Sequence, residues 1–175
     1  MKTSYYSRLN KINKTKFQPI AISGDEGKLA GFEGRGCRKL SPYPFYRKWK
    51  AIEEKNENEL KTGKISKAEY KKRKEVNQQS YIEKFYNIVL KPLDPKEIYN
   101  ELGENSVLLC FEKPTEFCHR FLVAGWLELN LEVQIDEYDF ENNEKVIKNK
   151  QNLKEKLKKV IEKDKSSERI DDYVR

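Results

Sequence analysis

The chain has 175 residues, enough for one domain with a substantial core, and no run of the roughly 18 to 20 apolar residues that a membrane span requires. Its three cysteines are odd in number, include no CxxC pair, and so argue against a secreted, disulfide-bonded protein. The composition is 37% charged, 37% hydrophobic and 11% aromatic, and no apolar signal segment follows Met1. It predicts a compact cytoplasmic protein that carries charged extensions and has no membrane partner.

The net charge of +7 is unevenly distributed along the chain. Residues 1–91 are predominantly basic, whereas residues 92–140 are predominantly acidic. This asymmetry would place a positive potential over an anionic ligand or a nucleic acid, or it would only mark two differently solvated faces. Both interpretations stay open, and no known nucleic-acid-binding module is recognisable.

Two short runs near the N-terminus predict strands of one sheet. Thr3–Tyr6 and Pro19–Ser23 are rich in aromatic and β-branched residues. Five glycines follow between Gly24 and Gly36, a density that permits unusual backbone angles and close approach to a ligand. The loop matches neither GxGxxG nor GxxxxGK[ST], so an ordinary surface loop is the alternative.

A charged helical segment is predicted over residues 45–91. Phe45–Leu60 and Ser66–Leu90 have helical spacing and form two charged helices joined near Gly63. A further helix is expected to start at Asp94–Pro95, with Asp as cap and Pro at the first position, and to end near Gly103.

The next segment predicts the centre of the fold. Ser106–Phe111 is apolar on both faces, as in a central strand covered by helices on each side. Thr115 is expected to cap a helix over 116–130, and Glu132–Ile135 to form a strand after a right-handed crossover. Residues 1–140 are thus predicted to form a single α/β domain, a three-layer Rossmann-like fold with a small parallel or mixed sheet.

Residues 141–175 are predicted to form an amphipathic helix, over about 142–163, and a polar tail. Val146, Leu153 and Leu157 recur at helical spacing on one face. That face would dock on the domain or on a second copy of the chain, which makes a homodimer a candidate assembly.

The segment Cys110–Arg120 holds the candidate catalytic residues. It joins the end of a buried strand to a helix start, where open α/β sheets place their ligand crevice. With Thr115 as cap, Cys118 would lie in the first helical turn, where the helix dipole and Arg120 favour a nucleophilic thiolate. His119 is the only histidine and would transfer protons, and Glu112 would orient the imidazole or act as the acid.

The expected ligand is a phosphate-bearing or other anionic small molecule, with a nucleotide as the leading example. The residues predicted to bind it are Arg120, Cys110, Ser4, Tyr5, Ser23, Gly24 and Gly36. In the opposing interpretation Cys118 is a small buried hydrophobe, His119 satisfies a carbonyl, and Arg120 pairs with Glu112 or Glu116.

A zinc site made of Cys37, Cys110, Cys118 and His119 has suitable ligand types. Their irregular spacing lacks the paired knuckles of structural zinc sites. The sequence therefore predicts no metal and no other cofactor.

Residues 107–120, VLLCFEKPTEFCHR, followed by VAGWLE at 123–128, resemble the domain of unknown function 488 family, whose hallmark is LLCxE followed by CHR. The similarity covers about residues 3–137. It implies a compact α/β domain with a pocket near the CHR helix and no established activity. Its matching positions are Cys110, Glu112, Cys118, His119 and Arg120, and supporting matches lie in Thr3–Tyr6, Ile20–Ser23, Arg38–Pro42 and Leu93–Tyr99. The lysine-rich stretch 51–80 and the helix after Tyr138 depart from the family pattern.

Three functions remain open at this point. The first is an enzyme or nucleotide-handling domain that uses Cys118, His119 and Glu112. The second is a non-catalytic module in which the same pocket only holds an anionic molecule or a nucleic-acid end. The third is a protein-interaction module that uses the charged helical hairpin and the C-terminal helix.

Overall fold

A four-stranded parallel sheet organises the protein. The computed structural model describes residues 1–173, and the side chains of residues 1–167. The strands stand in the spatial order β1-β4-β2-β3, and every neighbouring pair is parallel. They are β1 (Lys2–Tyr5), β2 (Gln18–Ala21), β3 (Arg35–Gly36) and β4 (Ser106–Cys110). The α/β class and the small parallel sheet predicted from the sequence are confirmed.

Strand β4 lies in the middle of the sheet, and all of its residues are buried. Leu108 pairs with Thr3 of β1 on one side and with Ile20 of β2 on the other. Because both faces of the strand are covered, neither face of this segment needs polar residues, which explains its unbroken apolar run. The predicted central strand is confirmed.

Helices cover one face of the sheet. In chain order they are α1 (Tyr43–Lys61), α2 (Lys67–Phe85), α3 (Pro95–Leu102), α4 (His119–Leu131) and α5 (Glu144–Tyr173). Leu108 and Cys110 of β4 join the main core together with Phe85, Leu122 and Leu157 from three of these helices. Helix α4 is buried on nearly all sides because it lies between the sheet and α5.

The other face of the sheet has a smaller core. Val107 and Leu109 of β4 pack there against Tyr6, Ile12 and Phe32. Tyr6 begins a 3₁₀ helix that ends at Lys11, and Phe32 belongs to the glycine-rich loop. Short irregular segments therefore cover this face among the residues described, in place of the helical layer expected from the sequence.

Helices α1 and α2 form the predicted charged hairpin. The chain reverses between them at Gly63, whose φ of 70° suits glycine. The seam between the helices is polar: the Asn77 amide donates to a Glu53 carboxylate oxygen at 2.5 Å, and the Trp49 indole N–H donates to the Asn77 carbonyl at 3.2 Å. The last turn of the second helical segment, Tyr86–Leu90, is π-helical. Both predicted helices are confirmed.

The helix expected from residue 116 begins instead at His119. Thr115 is not its cap, because the Lys113 amide donates to the Glu116 carboxylate at 3.0 Å and the Glu116 amide donates to the Lys113 carbonyl at 3.0 Å. These two bonds close a turn that ends before the helix. Cys118 is the N-cap residue, in extended backbone with φ of −149° and ψ of 139°.

The strand predicted at Glu132–Ile135 is wrong. Glu132 has a left-handed backbone, with φ of 54°, where α4 ends. The Ile135 amide donates to the Glu128 carboxylate at 2.8 Å, which removes it from any strand ladder. The chain reaches the sheet only at Glu137, which forms an isolated bridge with Thr3.

Helix α5 packs against α4 of its own chain. Val146, Leu153, Leu157 and Val160 are buried along one face, so the predicted amphipathic helix is confirmed. It extends to Tyr173, beyond the expected end near residue 163. Residues 174–175 of the predicted polar tail lie outside the described residues, and the homodimer stays a prediction. From residue 1 to residue 173, no helix has the length and apolar character needed to cross a bilayer.

Candidate functional site

A pocket of about 520 Å³ opens beyond the carboxyl ends of β2 and β4. Ser23 and Gly24 line it just after β2, and Phe111 and Glu112 line it just after β4. Helix α1 contributes the facing wall through Tyr46 and its neighbours. Parallel α/β sheets place their ligand crevices at this edge, which is where the sequence predicted one.

Two thiols, an imidazole and a carboxylate meet at this pocket. The Sγ atoms of Cys110 and Cys118 each donate to the same oxygen, Oε2 of Glu112, at 3.0 Å. Nδ1 of His119 lies 3.5 Å from the Cys110 sulfur. All four of these residues line the pocket. The structure thus brings together the three predicted catalytic residues, Glu112, Cys118 and His119, and adds Cys110 to them.

The backbone positions of these groups follow from the local fold. Cys110 is the last residue of β4, and Cys118 immediately precedes α4. The turn over residues 113–116 brings the helix start back against the strand end. Arg120 fixes the connection, because its Nη1 donates to the Glu112 carbonyl at 2.8 Å.

The orientation of the His119 ring is set by backbone. Its Nε2 lies 3.0 Å from the Ile22 carbonyl oxygen. A carbonyl only accepts hydrogen bonds, so Nε2 carries a proton and donates it. Nδ1 is then the ring nitrogen that faces Cys110. Phe85 packs edge-on against the imidazole, with ring centroids 5.6 Å apart.

The site holds its negative charge on Glu112. Burial and the Glu112 carboxylate raise the pKa of the Cys110 thiol above its usual value, and burial, Cys110 and Glu112 raise the pKa of Cys118 well above it. Burial opposes the charged form of Glu112, but the hydrogen bonds from the same two thiols, together with His119 and a backbone amide, outweigh it and lower the pKa of Glu112. Burial opposes the charged form of His119, but Cys118, Glu112 and the Ile22 carbonyl favour it and raise its pKa. These shifts favour the thiol form of Cys118, whereas the sequence predicted a thiolate in the first helical turn.

Arg120 does not line the pocket. Its side chain is 0% exposed and pairs with Glu137, with Nη2 to Oε1 at 3.1 Å and Nε to Oε2 at 3.2 Å. The sequence interpretation offered Glu112 or Glu116 as carboxylate partners, and the structure instead gives Glu137. The Arg120 guanidinium holds the site together and is not presented to a ligand.

The other predicted ligand-binding residues divide into two groups. Ser23 and Gly24 line the pocket together with Cys110. Ser4 and Tyr5 belong to β1 and Gly36 to β3, and these three are outside the pocket lining. The Ser23 hydroxyl has its own partners, since it accepts from Tyr6 and donates to Asp25, both at 2.7 Å.

An aromatic wall was missed by the sequence interpretation. Tyr46, Trp49, Tyr81 and Phe117 pack against one another with ring centroids 4.9 to 6.0 Å apart and all line the pocket. The signal was present as aromatic residues three apart at positions 43, 46 and 49, but the charged residues around them made this segment look like a solvated helix. Arg47, exposed on the same helix, also lines the pocket.

Three of the site residues form a group suited to a metal ion. The Sγ atoms of Cys110 and Cys118 and a ring nitrogen of His119 all lie within 4.8 Å of one another, and all three residues are buried. Cys37 is also a buried free thiol but does not belong to this group. The sequence offered all four as ligand types with an unfavourable spacing, and the fold brings three of them together.

No protein-family model, no curated protein and no solved structure matches this chain. The resemblance to the domain of unknown function 488 family stays a prediction.

Proposed function

We propose that the protein binds a small molecule with a flat ring and an anionic group, of which a nucleotide is the leading example, and acts on it with the side chains at the pocket floor. The observation that carries this proposal is the meeting of Cys110 and Cys118 on one oxygen of Glu112, beside His119, inside a pocket. Buried titratable groups that converge in a concave, mostly apolar site are typical of active sites.

The walls of the pocket suggest the kind of ligand. Trp49 and Phe117 offer ring faces for stacking, with centroids 6.0 Å apart, and Tyr46 stands 5.9 Å from Trp49. The sequence predicted that Arg120 binds the anionic group, but its guanidinium is hydrogen-bonded to Glu137 and to the Glu112 carbonyl. Arg47 is exposed and lines the pocket, so it is the proposed anion-binding residue instead. A planar guanidinium is well suited to bind a phosphate or a carboxylate through two hydrogen bonds.

The chemical role of the floor follows from its protonation. Glu112 is ionised and lies 3.0 Å from two proton donors, so it is the proposed proton acceptor. His119, held by Ile22, is the proposed proton carrier. A free Cys118 nucleophile is less favoured than the sequence predicted, because its buried thiol resists ionisation.

The proposal keeps two expectations from the sequence. A parallel sheet with a pocket at the carboxyl ends of its strands supports a Rossmann-like arrangement in which only one face of the sheet carries a helical layer. A cytoplasmic location is consistent with three free cysteines, which a reducing compartment would keep as thiols.

Titration with a nucleoside monophosphate, the matching nucleoside and inorganic phosphate, followed by Trp49 fluorescence and thermal shift, tests the binding step. Arg47→Ala should weaken binding of the monophosphate at least about tenfold, the effect of one charged hydrogen bond, and leave the nucleoside unaffected. Lys48→Ala is the matched control, since Lys48 is the next residue on the same helix, is exposed, and is outside the pocket lining. A monophosphate affinity that is the same in the two variants would contradict the proposal.

Catalysis is separated from plain binding by recovering the ligand after incubation. Chemical change with wild-type protein that is lost in Glu112→Gln, with binding retained, would support an enzyme. A bound ligand that is always recovered unchanged would favour the non-catalytic binding module.

A further inference from the structure

We propose that Cys110, Cys118 and His119 bind one zinc ion and leave one coordination position open toward the pocket. This inference rests on the proposed function, since it supplies the cofactor for the same site. It goes beyond the sequence interpretation, which predicted no metal.

The distances between the ligand atoms fit this ion. Zinc bonds of about 2.3 Å to sulfur and about 2.0 to 2.1 Å to nitrogen, arranged tetrahedrally, set the ligand atoms roughly 3.5 to 3.8 Å apart. The Cys110 sulfur lies 3.5 Å from Nδ1 of His119, and the whole group of ligand atoms lies within 4.8 Å. Rotation of the three side chains would close the remaining gap of at most about 1 Å, while the end of β4 and the start of α4 hold the backbone in place.

The histidine is already oriented as a metal ligand. Metal-binding histidines usually donate the N–H of their second ring nitrogen to a carbonyl or carboxylate, which fixes the tautomer and frees the other nitrogen for the metal. Nε2 of His119 donates to the Ile22 carbonyl at 3.0 Å. The free nitrogen, Nδ1, is the one that faces the Cys110 sulfur.

The neighbouring Glu112 carboxylate can accept the protons that the thiols lose when zinc binds. Zinc ligands bind as thiolates and a neutral imidazole, so the two S–H protons must leave as the ion enters. Both protons are already donated to Glu112, which can pass them to solvent through the pocket that it lines. Two thiolates then neutralise the Zn²⁺ charge, and the Glu112 carboxylate is left beside the open position.

An open fourth position distinguishes a catalytic zinc site from a structural one. Structural sites use four protein ligands, whereas catalytic sites use three and keep a position for water or substrate. Cys37, the remaining cysteine, lies outside the group, and the three ligands border a pocket of about 520 Å³. In this arrangement His119 is a zinc ligand and is no longer the proton carrier of the metal-free site, and Glu112 is a positioning and proton-accepting neighbour of the metal.

Metal titration of the reduced, metal-free full chain tests the inference. One equivalent of Zn²⁺ should bind to the chain and release protons. Co²⁺ should bind in its place and give the sulfur-to-cobalt charge-transfer absorption of a tetrahedral thiolate site. At a pH above the usual thiol range, where both site thiols react in the metal-free protein, zinc should also protect Cys110 and Cys118 from alkylation and leave Cys37 unprotected, a readout that needs no variant. Cys118→Ser and His119→Ala should each weaken zinc binding at least about 100-fold, more than the loss of a residue that only hydrogen-bonds to a ligand. Cys37→Ala is the matched control and should bind as wild type does.

Several outcomes would overturn the inference. They are a Co²⁺ complex without thiolate absorption, zinc that protects no thiol, binding that survives loss of Cys118, or a Cys110–Cys118 disulfide as the stable form in the presence of zinc. Ligand titration of the Arg47→Ala variant distinguishes this failure from failure of the proposed function. A protein that binds ligand through Arg47 but binds no metal refutes the zinc site alone. A protein that binds zinc but no ligand refutes the proposed ligand class alone.

Discussion

Arg120 and Glu137 form a two-pronged ion pair inside the protein, with side chains 0% and 1% exposed. The Thr3 hydroxyl donates a third hydrogen bond to Glu137 at 2.7 Å. The pair therefore links β1, the segment before α5 and the start of α4. Through Nη1 on the Glu112 carbonyl it also supports the candidate site.

Glu137→Gln should lower the free energy of unfolding by about 3 to 5 kcal/mol, because it leaves the buried guanidinium without a charge partner. Asp139→Asn is the matched control two residues away. It removes the carboxylate from the pair of Asp139 with Arg8, whose side chains are 42% and 29% exposed, and should cost less than about 1 kcal/mol. Urea unfolding followed by circular dichroism measures both, and equal losses would show that the buried pair contributes nothing special.

Alkylation of the site thiols should depend on Glu112. In metal-free protein the raised pKa values of Cys110 and Cys118 keep both as thiols at neutral pH, so their alkylation should become fast only above the usual thiol range. The Glu112 carboxylate contributes to both shifts, so Glu112→Gln should move the pH midpoint of their alkylation downward. Peptide mass spectrometry against pH measures each cysteine separately, with Cys37 as the internal control. A midpoint that stays in place or rises in Glu112→Gln would contradict the assignment.

Acid should weaken the contact between α4 and α5. Glu128 receives hydrogen bonds from Lys150 at 2.6 Å, Lys154 at 3.0 Å and the Ile135 amide at 2.8 Å. Burial raises the pKa of Glu128, but these partners lower it by more, so that the pKa lies below the ordinary value of 4.5. The folded state thus binds fewer protons than the unfolded state, and the stabilisation is present above pH 4.5 and is lost as the pH falls through the lowered pKa.

Glu128→Gln should therefore unfold more easily than wild type at pH 7, by about 1.5 to 3 kcal/mol, and should show a shallower loss of stability on acidification. Glu162→Gln is the control, because its pairing with Lys158 is at 4.0 Å on the surface and should change stability little. Urea unfolding at several pH values checks both expectations. A variant whose pH profile parallels that of wild type would be inconsistent with this role.

Gly27 should tolerate alanine much less well than Gly63. Both have left-handed backbone, with φ of 82° and 70°, so alanine strains either position. At Gly27 a Cβ would lie 2.8 Å from Phe32 Cβ and 2.8 Å from Tyr6 Cε1, whereas at Gly63 it would meet nothing within 4 Å. Gly27→Ala should cost about 1 to 3 kcal/mol more than Gly63→Ala in unfolding free energy, because it overpacks the smaller core. Similar costs for the two substitutions would argue against that packing.

The sequence predicted the central strand and the proximity of Glu112, Cys118 and His119 because these signals are local, whereas the roles it gave to Thr115 and Arg120 in the same segment were wrong. The apolar run in β4 needs no distant partner to be recognised, and Cys118 and His119 adjoin in sequence. The predicted start of α4 was wrong because residues 113–116 can form either a helix start capped by Thr115 or a turn closed by the Glu116 side chain. The structure has the turn, in which the Lys113 amide donates to the Glu116 carboxylate, and the local sequence does not distinguish the two.

The parts that escaped prediction depend on contacts between distant residues. Arg120 and Glu137 are 17 positions apart and separated by most of α4, and the Thr3 hydroxyl that completes the contact is 134 positions from Glu137, so no local pattern indicates the partner of Arg120. The aromatic wall joins Trp49 of α1 to Phe117 before α4, and the charged residues around Trp49 hide its role. The metal-type geometry likewise arises only when Cys110 and His119 meet.

The strand order has a consequence for how the chain is made. β4 is the last strand to be synthesised, yet β1 and β2 pair with it and not with each other. A nascent chain can therefore complete the sheet only after Cys110 has left the ribosome, and until then the two earlier strands keep exposed hydrogen-bonding edges. In residues 1–91 the lysines and arginines outnumber the acidic residues, and this net positive charge would keep the incomplete domain soluble during translation.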